Sequence, residues 1–490
     1  MLILVRSIKN SLAPIHRLPL ELLSFLPDYF GEDSADQDLI ALTHVCRGWR
    51  EAFISRPSLW TKFEFENVDK TRTYIQRSQS SPFKIYLGDD EFIDDAFALV
   101  IPHIHRLKTL TVNAQTLPGI LAYLCCHAPL LEELHIELSP LTVSLDDPVL
   151  DSALFRADLA SLRELHLKGV ATYLPWKNLV NLWVFELTTF FFHTTQILDF
   201  FESAPLLHTI RLEYSEPDPP DAPPERIVPL RHLKDFTIRN TDSQHSILLR
   251  HLHIPIGASL DLWSNFPDDE SLLQDCFPAR SHHFNNLSHI TTINLLFGLN
   301  WKFLRFSGPS GSLRVLFECH DSAHLSCNKD HQILGSLDHL TLSKIHKLTI
   351  SKYKARPTGI EECPIFQTLS STNDLQTLIL IDCNTLPFVL ALDPEQNPSN
   401  LVLCPNMQNV ILYIQSLSPL IVGCLTRMTK NRASREAKLS SVILANMSGR
   451  GQGNEASELI REHVTHVECR VGGEYPDWDS ISVGGDGESE

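Results

Sequence analysis

Five side chains able to hold a soft metal, Cys319, His320, His324, Cys327 and His331, crowd into the single stretch ECHDSAHLSCNKDHQ. Structural zinc takes thiolates and imidazoles as close pairs, and this stretch has no close cysteine pair. It therefore reads as a polar inserted loop, and no metal or other cofactor is assigned. Gly449, Gly451 and Gly453 lie between an expected strand and an expected helix, the setting of a phosphate-binding turn. Their G-x-G-x-G spacing lacks the third glycine of the dinucleotide fingerprint and no GK[ST] follows, so the stretch reads as a strand-to-helix return. Asp89, Asp90, Glu91, Asp94 and Asp95 lack the spacing of a calcium loop and suit the solvated start of a helix. Arg427, Lys430, Arg432, Arg435 and Lys438 would either receive an acidic or phosphorylated motif or form the wet side of a helix, the second being preferred. With no G-x-S-x-G elbow, no H-E-x-x-H and no cysteine in a nucleophile motif, no catalytic residue is assigned and no enzyme is expected.

Composition narrows the classes further. A formal net charge of -18 argues against general nucleic-acid binding, which needs clustered Lys and Arg. The chain is 43% hydrophobic and 20% charged, as in an average globular protein. The most apolar stretch, residues 410–425, is shorter than the roughly 20 residues of a spanning helix and contains Gln415, Ser418 and Pro419, so it reads as core and no membrane is expected. Eleven cysteines at irregular spacing do not form a secreted disulfide framework, and MLILVRSIKN is too short an apolar run for a signal peptide. Cytoplasm and/or nucleus is the expected location.

The elements that would position a function begin at residues 14–60, where apolar residues recur at helical spacing beyond what so short a segment can bury alone. Pro19 and Glu21 suit a first helical turn, and Leu22, Leu23, Phe25 and Leu26 supply an apolar face that Pro27 and Gly31 end. A second helix is expected from near Asp36 or Asp38, because Leu39, Leu42, Val45, Cys46, Trp49 and Phe53 keep three-to-four spacing while Arg47, Arg50 and Glu51 take the wet side. The phrases LPLELL, LTHVCRGWR and PSLW in this order resemble the F-box, the helical module that docks its protein onto the Skp-type adaptor of a cullin ubiquitin ligase. The resemblance implies that Leu18, Pro19, Leu22, Leu23, Val45, Cys46 and Trp49 face or support the adaptor. It extends to about residue 85 if Ile75 to Leu87 is the linker strand that often follows.

Beyond it one phrase returns, apolar-x-x-apolar-x-apolar: LKTLTV, LLEELHI, LRELHL, LWVFEL, LHTIRL, LKDFTI, LRHLHI, ITTINL, LQTLIL, MQNVIL and LSSVIL, from residue 107 to residue 444. No single copy can bury its apolar side, so neighbours must stack. This is similar to the leucine-rich repeats that commonly follow an F-box. The expected fold class is α/β, a three-helix F-box followed by an irregular leucine-rich-repeat solenoid with a parallel sheet on its concave face and helices outside. The expected domains are a tail (1–13), the F-box (14–60), a linker strand and first solenoid segment (61–100), and the solenoid (101–471). Insertions are expected near 213–229, 255–289 and 299–336, and a disordered acidic tail over 472–490.

Strand alternation then separates core from surface. In the early copies the surface positions are Glu133, His135 and Glu137; Glu164, His166 and Lys168; Thr209, Arg211 and Glu213. In the late copies Leu378, Val410 and Val442 are each separated by 32 residues, so Ile379, Ile411 and Ile443 should align across adjacent strands, with Ile381 and Tyr413 beside them. That apolar row is the expected site for a protein substrate, unless a C-terminal segment or an inserted loop covers it. Together with the resemblance, these features imply a noncatalytic substrate receptor of an SCF-type ligase, partnered by a Skp-type adaptor, a cullin and a protein substrate. The alternative is a leucine-rich-repeat scaffold whose F-box serves a cullin-free complex.

Overall fold

Trp60 is fully buried, and the N-terminal structure assembles around it: its indole N–H donates to the Phe53 carbonyl at 3.0 Å, and the Tyr74 ring meets it edge-on at 5.0 Å. In the computed structural model the described residues are 14, 19–23, 25–26, 35–88, 93–114, 123–138, 155, 159–169, 179–218, 226–240, 245–265, 289–298, 301–309, 311–318, 326–337, 344–354, 364–397, 399–414, 418–446 and 453–471. They form a mixed α/β protein with seventeen strands in large, mostly parallel sheet structure. The chain divides into two compact units, Met1–Leu212 and Glu213–Glu490, each described by itself. The tails expected over 1–13 and 472–490 lie outside the described residues.

The first unit opens with helices α1 (Leu20–Leu23), α2 (Ala35–Thr43) and α3 (Arg47–Ile54), followed by a 3-10 turn at Pro57–Trp60. The single helix expected from Asp36 through Phe53 is in fact two. It breaks before Cys46, whose backbone is extended (φ −160, ψ 173). Arg50, expected only to face water, holds the break by donating to the Thr43 carbonyl at 3.0 Å. Strand β1 (Lys62–Glu64), helix α4 (Val68–Arg77) and strand β2 (Phe83–Leu87) follow. The linker strand expected over Ile75 to Leu87 is therefore confined to its second half, because Asn67 caps a helix that runs to Arg77.

Helix α5 (Ile93–Val100) then leads into the regular strands β3 (Leu107–Ala114), β4 (Glu133–Leu138), β5 (Glu164–Lys168) and β6 (Val184–His193). From β2 to β6 neighbours pair in parallel. Apolar residues at alternate positions turn inward, as Leu134, Ile136 and Leu138 do in β4. Before β4, β5 and β6 the same turn recurs: the amides of Leu131, Leu162 and Leu182 bond the carbonyls of Ala128, Leu159 and Leu179. Helix α6 (Thr194–Ser203) is the return expected from ILDFFESAPLL, and β7 (Thr209–Asp218) carries the chain across the boundary.

In the second unit β8 (Val228–Pro229) and β10 (Leu252–His253) pair only with each other, while β9 (Asp235–Asn240) pairs with β11 (Ser259–Asn265). The phrase LRHLHI thus marks a minor strand, and the sheet strand of that copy lies just beyond it. The regions expected as insertions contribute β11, β13 (Trp301–Gly308) and β14 (Gly311–Glu318) to the sheet. Strand β13 runs antiparallel between β12 (Thr292–Phe297) and β14. Glycine is required at the β13–β14 turn, since a Cβ on Gly308 would lie 2.1 Å from the His289 carbonyl oxygen. Parallel pairing then continues from β12 through β15 (Lys347–Ser351), β16 (Thr377–Ile381), β17 (Asn409–Ile414), β18 (Ser441–Asn446) and β19 (His466–Val471).

Candidate functional site

Among the expected adaptor residues, Pro19, Leu22 and Val45 lie on the surface, Leu22 at 54% exposure and Val45 at 47%. Leu23 and Trp49 are buried beneath, Cys46 is half-buried, and Leu18 lies outside the described residues. The expected residues thus divide, three exposed and two packed between the helices. Phe25, read from the sequence as part of the first apolar face but not among the adaptor residues, is exposed as well. Its ring is 48% exposed and carries the Arg56 guanidinium 4.7 Å from its centroid, an arrangement that keeps a large apolar ring in place while open to contact.

In the first unit the face opposite the core is a lattice of charge. Register aligns Lys84, Thr109, Glu133 and Glu164 across β2 to β5. Lys84 and Thr109 both donate to the Glu133 carboxylate, at 3.1 and 2.9 Å. Burial works to raise this carboxyl, but those two bonds outweigh it and hold it below the ordinary carboxylate range. One step along, Tyr86, Thr111, His135, His166 and Glu186 align. The His135 and His166 rings stack at 4.1 Å, and burial with the neighbouring His166 pushes His135 down to about 4. Glu186 joins His166 Nδ1 at 2.6 Å and Arg211 at 2.5 Å.

The corresponding face of the second unit carries two apolar stretches among polar positions such as Asp261, Arg314, Arg305, Asn294 and Thr349. Ile379, Ile411 and Ile443 are register partners on β16, β17 and β18, the alignment expected from the 32-residue step. Ile411 and Ile443 are half-buried, but Ile379 is buried and Ile381 is buried to 1%, so only the β17–β18 part of the row reaches solvent. Tyr413 beside them is half-buried. A second row went unread: Trp263, Leu316, Phe303, Leu296, Ser351, Ile381, Tyr413, Ala445 and Arg470 are register partners in turn. Leu296, Phe303 and Leu316 pack into one apolar cluster with Trp263, and the Arg239 guanidinium covers Trp263 at 4.4 Å. The available signal was adjacent apolar residues in NLLF, KFLRF and RVLF, the mark of strands covered on both faces.

The two cation-bearing stretches have structural roles. In α7 (Pro419–Ser434), Arg432 is fully buried and donates to the carbonyls of Leu403 and Cys404 at 2.7 and 2.9 Å. Arg427 bonds buried Asp393, and Arg435 bonds Asn400. Arg427, Arg432 and Arg435 of the run thus clasp the preceding segment, while Lys430 and Lys438 are exposed. Of the cysteine and histidine stretch, Cys319, His320 and His324 lie outside the described residues. Cys327 and His331 sit on the helix Ser326–Ser336, where His331 Nδ1 meets the Tyr353 hydroxyl at 2.7 Å. No described helix is long and apolar enough to cross a membrane. Set against known proteins, the chain matches no family model and no curated protein.

Proposed function

We propose that this protein is the substrate-recognition subunit of a cullin-based, SCF-type ubiquitin ligase, with an F-box at residues 14–60 and leucine-rich repeats beyond it. The observation that carries the reading is the split among the motif residues. Leu22 and Val45 expose apolar surface on a module whose interior is already filled by Leu23, Trp49 and Phe53. Exposed apolar side chains on a small, internally packed helical module suit a partner that covers them. The protein substrate is assigned to the open part of the late row, Ile411, Tyr413 and Ile443, where apolar side chains remain half-exposed between buried core strands. Such a subunit performs no chemistry. It holds the substrate near the charged ubiquitin carrier, replacing a bimolecular encounter with an effectively intramolecular one.

The test replaces exposed residues only, because truncating buried Leu23 would confuse lost docking with lost folding. A Pro19→Ala/Leu22→Ala/Val45→Ala variant should lose capture of a Skp-type adaptor while its thermal unfolding stays near wild type; central interface anchors typically contribute about 2 kcal/mol or more each. Unchanged capture overturns the assignment. Adaptor capture without a co-purifying cullin would favour the cullin-free scaffold.

A further inference from the structure

We propose that His135, Glu164 and His166 form a binding site for one divalent transition-metal ion of the zinc class, a site independent of the ubiquitin-ligase reading. The three residues come together only through parallel pairing: His135 on β4 is the register partner of His166 on β5, and Glu164 lies two residues before His166 on the same face. One ligand atom from each lies within 4.8 Å of the others. Two imidazoles and a carboxylate are the donor set of a three-residue zinc site that leaves a fourth position open.

The second shell is already built. Glu186 meets His166 Nδ1 at 2.6 Å and is itself fixed by Arg211, the carboxylate–histidine pairing that sets a ligand's tautomer and presents the other nitrogen to an ion. That other nitrogen, His166 Nε2, is buried without a hydrogen-bond partner and stands 3.8 Å from a Glu164 carboxylate oxygen. With the proton on Nδ1, a lone pair and an anionic oxygen face one another. A cation between them resolves the repulsion. Glu133, two residues before His135, is engaged by Lys84 and Thr109 and so does not compete as a ligand. The rings stack nearly parallel, 7° apart, so binding requires one of them to turn about χ2, a torsion with a broad, low profile. The open fourth position faces the side of the sheet away from the core, where a carboxylate or imidazole from a bound protein can complete the shell.

The full chain, stripped with a chelator, is titrated with Zn²⁺ and separately with Co²⁺ as a spectroscopic probe. The expected result is one saturable equivalent, with the intense visible absorption of four-coordinate Co²⁺. His135→Ala and Glu164→Gln should each weaken it at least a hundredfold, and Glu186→Gln about 10–100-fold through the second shell. A His103→Ala/His105→Ala control should leave it unchanged. Protection of His135 and His166 from acylation by Zn²⁺, mapped by mass spectrometry on the unsubstituted chain, needs no variant to fold. Absence of saturable binding, an affinity indifferent to His135→Ala and Glu164→Gln, or protection confined to other histidines overturns the site.

Discussion

The strands before Leu212 and those after Glu213 share one core chemistry and differ on the opposite face. In the first unit that face carries the Lys84–Glu133 and Arg211–Glu186 ion pairs, with His166 hydrogen-bonded to Glu186; in the second, Trp263, Leu316, Phe303, Leu296 and Ile381 run through it. Core-facing Leu and Ile must be kept in both, since each strand is buried only by its neighbours. The opposite face is held to that duty only where the chain covers it, as at Leu296, Phe303, Leu316 and Ile381. It is where two regions built from the same phrase diverge in chemistry.

Placing charge on the apolar face should break the contrast most severely. Ile381→Asp puts an unpaired carboxylate at a position 1% exposed and should cost about 4 kcal/mol or more, whereas Glu137→Ile on the charged face should stay within about 0.5 kcal/mol. Comparing urea midpoints of the two variants checks this. Next in size is the pair that anchors the strand supplying Phe303. Lys302 and Asp330 are both buried and meet at 2.7 Å, so Lys302→Met should cost about 3–5 kcal/mol in the same measurement.

The same pair gives a pH signature. Burial pushes the Asp330 carboxyl up to about 6, with Lys302 opposing. The folded chain therefore takes up this proton before the unfolded chain does. Its stabilising contribution is fully present below about pH 4 and is lost as pH rises through about 6. Asp330→Asn should flatten that part of the stability profile, read from denaturant midpoints at pH 5 and pH 7.

Arg432→Met should cost about 2–3 kcal/mol, because the Leu403 and Cys404 carbonyls lose their donor in a buried place. The smallest stability effect is expected where the apolar row opens. Ile411→Asp should change the melting temperature little while abolishing substrate capture, and a large thermal loss would show that this position is core.

Much of the fold was legible. Ten of the eleven repeated phrases fall on principal strands, and the 32-residue step alone puts Ile379, Ile411 and Ile443 in register. The misses have separate causes. Strands β13 and β14 turn back on each other, so they need no helical return and carry no phrase. The break at Cys46 was hidden because helical spacing continues through it, and only the Arg50 side chain bonding the Thr43 carbonyl marks where the axis changes.

Local composition determined which residues face the core, because alternation is a property of each strand alone. It also marked the early strands as charged on that face and the late strands as apolar at Ile379, Ile411 and Ile443. Tertiary structure decided what those residues meet. His135 and His166, 31 positions apart, hold the same place in two successive copies of the phrase, but the stacking of their rings and the Glu186 contact on His166 are set only once the strands pair. Their pairing follows from the length and packing of the return between strands, which fixes register. Coverage was decided in the same way: Ile381 and Ile411 belong to equivalent patterns, yet one is buried and the other half-open. Burial depends on what the rest of the chain lays over a face, and no local pattern contains that.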